Sequence, residues 1–138
     1  MTTIALRNGV MAGDTQVTEG DTLVASGCRK VRRLRDGRLY GFSGDIEQGE
    51  IMLRALRKGE APPKLRGIKA ILVYQDGVVS LWEGAIWIKQ QHAPFFAIGN
   101  GTDFALGAMA AGADAKQAVK IAMKFDTATG GRVQTVRL

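Results

Sequence analysis

Apolar residues in the first 44 positions come in short runs separated by turn signals, a spacing that fits strands and no helix. Thr2 to Leu6 is β-prone, and Asn8-Gly9 behind it is a hairpin signal that tolerates positive φ. Val10 to Ala12 reads as the return strand, ending at Gly13-Asp14. Thr22 to Ser26 and Lys30 to Leu34 are further strands, and Asp36-Gly37 turns the chain into Leu39 to Ser43. The pattern changes at Gly44-Asp45. Asp45 is a good N-cap with Gln48 three residues on, as in a capping box. Ile51, Met52, Ala55 and Leu56 then share one helical face, and Gly59 is a stop. Glu60 to Gly67, with Pro62-Pro63 inside it, reads as a loop.

Strands resume at Ala70 to Tyr74, turn at Asp76-Gly77 and return through Val78 to Trp82, with Ala85 to Ile88 extending the meander. Phe95 to Ile98 is another strand. Gly99-Asn100-Gly101 leads into a helical stretch from Asp103 to Ala111, which Gly112 breaks. Asp114, with Gln117 three residues later, caps a further helix whose apolar face is Ala118, Ile121, Ala122 and Phe125. Gly130-Gly131 ends the helical region, and Val133 to Val136 is a last strand. Helices laid over the faces of antiparallel sheets would bury this order of elements. With 138 residues, the chain fits one compact domain spanning 1–138.

Composition narrows the classes. No apolar run approaches the ~20 residues of a membrane span. Arg7 interrupts the one stretch that could imitate a signal peptide. Cys28 is the single cysteine, so no internal disulfide can form. A cytoplasmic protein is the expectation. The net charge of +6 is concentrated in Arg29, Lys30, Arg32, Arg33, Arg35 and Arg38. Such a run can bind phosphate backbones. No aromatic residues interleave with it to stack bases, so solvated charges or a face toward a partner subunit is the plainer reading. Trp82 and Trp87 read as core or interface.

Four features carry chemistry. Thr2 directly follows Met1, whose removal would place a hydroxyl nucleophile and a free α-amine on one residue. That amine has an ordinary pKa near ~8 and can serve as base. A buried Lys30 beside it would favour the neutral amine. Asp14 ends a strand that should pair with the N-terminal strand, which brings its carboxylate toward residue 2. Gly41-Phe42-Ser43-Gly44 sits at a strand end where a free N–H at Gly41 could donate to an oxyanion. Taken singly, these are a common Met-Thr start, a solvated lysine, an Asx turn and packing glycines. His92, the one histidine, reads as a loop residue. One His and one Cys cannot build a typical zinc site, so no metal and no cofactor are expected. Gly99-Asn100-Gly101 does not complete a dinucleotide fingerprint.

Together these stretches resemble the start of HslV-type peptidases, bacterial relatives of the proteasome β subunit. The matching residues are Thr2-Thr3-Ile4, Ala12-Gly13-Asp14, Arg29 through Leu34 and Gly41-Phe42-Ser43-Gly44. Ala97-Ile98-Gly99-Asn100-Gly101 and the Ala-rich helices after it are a second match. The resemblance implies an αββα four-layer sandwich. It implies Thr2 as nucleophile, Lys30 tuning its amine, Asp14 pairing with Lys30, and Gly41 forming the oxyanion hole. Thr18 and Ser43 fall on the strands that flank substrate. Val17 and Cys28 fall near a specificity pocket that would be modest and apolar. The family's pattern has Ser where this chain has Asn100, which puts a relay to the amine in question. Between the first helix and the Ala70 strand the family's long helical stretch is missing, so a reduced first helical layer is expected. The implied protein is a homo-oligomer of stacked rings cleaving proteins or peptides, fed by a separate ATP-dependent unfoldase. This chain has no ATP-binding motif of its own. A catalytically inactive structural subunit and a basic nucleic-acid-binding β domain are the alternatives.

Overall fold

The computed structural model describes residues 2–90 and 93–138. Met1 and His92 lie outside the described residues. Among the described residues there are fourteen elements, in the expected order with β3 added. They are β1 (Thr3–Arg7), β2 (Val10–Gly13), β3 (Val17–Glu19), β4 (Thr22–Ala25), β5 (Val31–Arg33), β6 (Leu39–Gly44), α1 (Ile46–Lys58), β7 (Ile68–Val73), β8 (Val79–Trp82), β9 (Trp87–Gln90), β10 (Phe95–Gly99), α2 (Thr102–Ala110), α3 (Ala115–Phe125) and β11 (Gln134–Arg137).

Two antiparallel sheets carry the core. One has the order β10-β1-β2-β11, the other β5-β6-β7-β8-β9. Alternation along β1 explains how they stack. Ile4 and Leu6 face the second sheet and meet Met11, Val31, Leu39, Ile71, Val73 and Ile98 in the layer between the sheets. Ala5 faces the other way, with Ala12 and Ala97, onto Ala105, Met109, Ala118 and Val119 of α2 and α3. The alanines keep that sheet surface flat, so the helices approach closely. On the far side α1 lays Met52 and Leu53 over Tyr40, Phe42, Ala70, Leu72 and Trp82. The result is an αββα sandwich, α2 and α3 on one outer face and α1 alone on the other.

The differences from expectation have physical causes. The hydrophobic pattern assigns no element to β3, which spans three residues and pairs only with β4 among the described strands; it carries Thr18, as the resemblance implied. β9 runs two residues later than expected, where it pairs with β8. Phe125 does not join the buried face of α3. That face is Ala115, Ala118, Val119 and Ala122, and Phe125 stacks instead on Phe104 at 5.5 Å. Both helix N-caps occur as read. Asp114 forms a full capping box with Gln117, whereas Asp45 accepts only from the Gln48 N–H. No helix lies between α1 and β7, so the first helical layer is reduced as expected.

Candidate active site

Three strand termini meet at one place. Thr2 precedes β1, Asp14 follows β2 and Lys30 precedes β5. The tight turn at Asn8-Gly9 fixes the β1–β2 register, with Ile4 opposite Gly13, so Asp14 falls beside Thr2 and Thr3. The Asp14 N–H donates to the Thr3 carbonyl at 3.3 Å, and the Thr3 N–H donates to Asp14 Oδ1 at 3.1 Å. Lys30 Nζ donates to the same Oδ1 at 3.1 Å and to the Gln16 carbonyl at 2.6 Å. Gly130 N–H donates to Asp14 Oδ2 at 3.1 Å. Lys30 is 3% exposed and the Asp14 side chain 0%, so the pair is dry and fixed by further hydrogen bonds. Burial pushes the Asp14 carboxyl above its ordinary value, against the opposing pull of Lys30 and the two backbone N–H groups.

Thr2 is itself buried and lines a cavity of about 400 Å³. Lys30, Gln16, Val17, Thr18, Gly44 and Ile46 share the lining. Glu19, Asp45 and Glu47 also line it, so carboxylates stand beside the apolar Val17 and Ile46 in its wall. Cys28 is not among its lining residues, and burial raises its thiol. β10 passes against Thr2. A Cβ on Gly99 would sit 1.9 Å from the Thr2 carbonyl oxygen, so only glycine permits this approach.

Besides Cys28, three residues expected at the site do not line this cavity: Gly41, Ser43 and Asn100. Gly41 lies mid-way along β6. A Cβ there would meet Met11, Ile4 and Val31, so this position faces the layer between the sheets. Its N–H does not reach the cavity. Phe42 N–H donates to the Lys30 carbonyl on the β5 side and Asp45 N–H to the Gly67 carbonyl on the β7 side. By alternation Gly41 N–H faces β7, whereas Gly44 N–H faces the β5 side, beyond the point where β5 begins, toward the Thr2 cavity. Asn100 is exposed and lines a neighbouring cavity with Ser43, Gly99 and Thr102. That cavity, not the one at Thr2, holds both Ser43 and Asn100.

Asp126, Thr129 and Gly130 were missed in the sequence. Thr129 Oγ1 lies 2.7 Å from Thr3 Oγ1 and donates to Asp126 Oδ2. This hydroxyl chain runs beside the backbone of the candidate nucleophile. Its signal was an Asp-x-x-Thr stretch after a helix and before Gly130-Gly131. Nothing local in that stretch says that β11 returns beside β2.

No protein-family model matches the chain. The ATP-dependent protease subunit HslV of Pseudothermotoga lettingae is 50% identical over 46 residues, 31% of this chain. The match spans about a quarter of that relative's length, 26%. Thiobacillus denitrificans BPH, solved in complex with epoxomicin, superposes with a TM-score of 0.75 at 19% identity, covering 99% of this chain and 97% of that one. HslV from Trypanosoma brucei superposes with a TM-score of 0.70 at 23% identity over 100% of both chains. The chain has the HslV-type fold. Within that fold, the HslV-like stretches read from the sequence, around Thr2, Asp14 and Lys30, are the ones that converge on the cavity.

Proposed function

We propose that the chain is an N-terminal threonine peptidase subunit of the HslV type. The observation that carries this reading is the buried Asp14–Lys30 pair set against Thr2 at the wall of an open cavity. Once residue 1 is removed, the Thr2 α-amine takes the proton from Oγ1 as the oxygen attacks a peptide carbonyl. The positive charge of Lys30, held in place by Asp14 and Gln16, disfavours a second ammonium beside it and so favours the basic amine. Gly44 N–H, rather than Gly41, is the donor supported for the developing oxyanion. The amine returns its proton to the leaving nitrogen, the C–N bond breaks, and an ester on Oγ1 remains. Water activated by the same amine then releases the acid and restores Thr2. Val17, Thr18 and Glu19 offer an extended edge along which a peptide can lie. Asn100 has no step in this scheme. The proposed setting is a cytoplasmic homo-oligomer of stacked rings served by an ATP-dependent unfoldase, with peptides or unfolded proteins as substrate.

Intact-mass measurement after treatment with a peptide epoxyketone tests the reading. Loss of residue 1 plus a single adduct is expected, with no adduct and no peptide hydrolysis in Thr2→Ala. An adduct that persists in Thr2→Ala, or an exposed Thr2 that takes none, would overturn it.

A further inference from the structure

The Asp14–Thr2 chemistry uses one residue of the basic run and leaves most of it unexplained. The structure divides that run. Lys30 turns inward to Asp14, and Arg32 reaches Glu50 at 3.3 Å. Arg33, Arg35 and Arg38 go the other way, to the end of β6 opposite the Thr2 cavity. There Arg57, from the last turn of α1, joins them around a cavity of about 600 Å³. Leu34 and Leu56 supply apolar lining. The cavity shares no lining residue with the one at Thr2.

Four guanidinium groups meet one carboxylate in this concavity. Asp36 is already engaged, because its Oδ2 accepts from Arg38 Nε at 2.7 Å. Arg38 is held further by lying over the Tyr74 ring, 5.7 Å from its centroid. Among the described residues Arg33, Arg35 and Arg57 form no ion pair. Three unneutralised charges thus converge from the end of β5, the β5–β6 turn and α1. Their mutual repulsion is relieved by a ligand carrying several anionic oxygens on a small frame. Guanidinium forks match such oxygens in pairs, and Leu34 and Leu56 form the apolar part of the wall behind them. An extended nucleic-acid backbone would instead call for an open stripe, and the inward turn of Lys30 and the pairing of Arg32 with Glu50 interrupt one. The volume falls in the small-molecule range.

We propose that this cavity binds a compact polyanion of the polyphosphate class. Calorimetric titration of the full chain with inorganic triphosphate tests it. Saturable one-to-one binding is expected, weakened roughly tenfold or more by Arg57→Ala and likewise by Arg35→Ala, as for the loss of a charged hydrogen-bond donor. Lys120→Ala removes the same charge from α3 in the opposite helical layer and should leave affinity within about twofold, since a distant exposed charge is screened. Absence of saturable binding, or equal weakening by Lys120→Ala, would overturn the proposal. So would tighter binding of a DNA duplex that the two arginine substitutions abolish. None of these readouts requires Thr2 to be active.

Discussion

Lys30 and Asp14 set a testable relation between charge and stability. Lys30→Met keeps an apolar stem in place and removes the ammonium that opposes the effect of burial on Asp14. An uncompensated buried carboxylate should cost about 3 kcal/mol at neutral pH. The sign with pH follows from linkage. Asp14 is already raised by burial, and without Lys30 it rises further. Between the unfolded carboxyl value and the raised folded one, the folded state holds a proton that the unfolded chain has released. Stability contributed by this group therefore increases as pH falls through that window and is lost as pH rises. Urea unfolding between about pH 7 and pH 4.5 should show Lys30→Met recovering part of its deficit on acidification, more than wild type. A deficit independent of pH would mean that the lysine acts through packing alone. Asp14 was legible because the Asn8-Gly9 turn fixes one register, and that register brings it to Thr2. Gly41 and Gly44 were not separable in the same way. Which N–H meets the cavity depends on how β6 pairs with β5 and β7, and no local signal in β6 states it.

α1 shows how a helix can be bound to one sheet by one missing side chain. Gly49 is buried, and a Cβ there would sit 2.4 Å from the Phe42 ring. Tyr40, stacked on Phe42 at 6.0 Å, donates its hydroxyl to the Gly49 carbonyl at 2.8 Å, and burial pushes its phenol well up. Alanine at 49 would gain about 1 kcal/mol of helix propensity in isolation. Overlap with the ring should outweigh that gain, at roughly 1–3 kcal/mol for overpacking. Gly49→Ala is therefore expected to lower the unfolding midpoint, and a rise would show that α1 can lift off the sheet at little cost. The sequence made the caps of α1 and α3 legible, since Asp45 and Asp114 act within three residues of themselves. It concealed β3 and the exposure of Phe125. Both depend on where an element ends relative to the sheets, which hydrophobic period does not encode.

Across the whole molecule the helical cover is uneven. α2 and α3 pack on the four-stranded sheet, while α1 alone serves the five-stranded one. The four layers were readable from element order, but the placing of β11 beside β2, which delivers Gly130 to Asp14, was not. The β3–β4 hairpin is the least supported part. It joins neither main sheet, and isolated hairpins are marginal in water. β4 is exposed throughout, with Leu23 at 61% and Val24 at 53%. Yet β3 forms a wall of the Thr2 cavity through Val17, Thr18 and Glu19. In the proposed oligomer a neighbouring copy covering β4 would hold that wall in place. Replacing Leu23 and Val24 together by lysine should then shift the chain toward monomer in sedimentation experiments and lower peptide hydrolysis. The unfolding free energy of the monomer should stay within about 0.5 kcal/mol, as for surface changes. Unchanged association would place the subunit contact elsewhere. Lost hydrolysis with association intact would mean that the hairpin acts on substrate directly, as a binding edge that needs no neighbour.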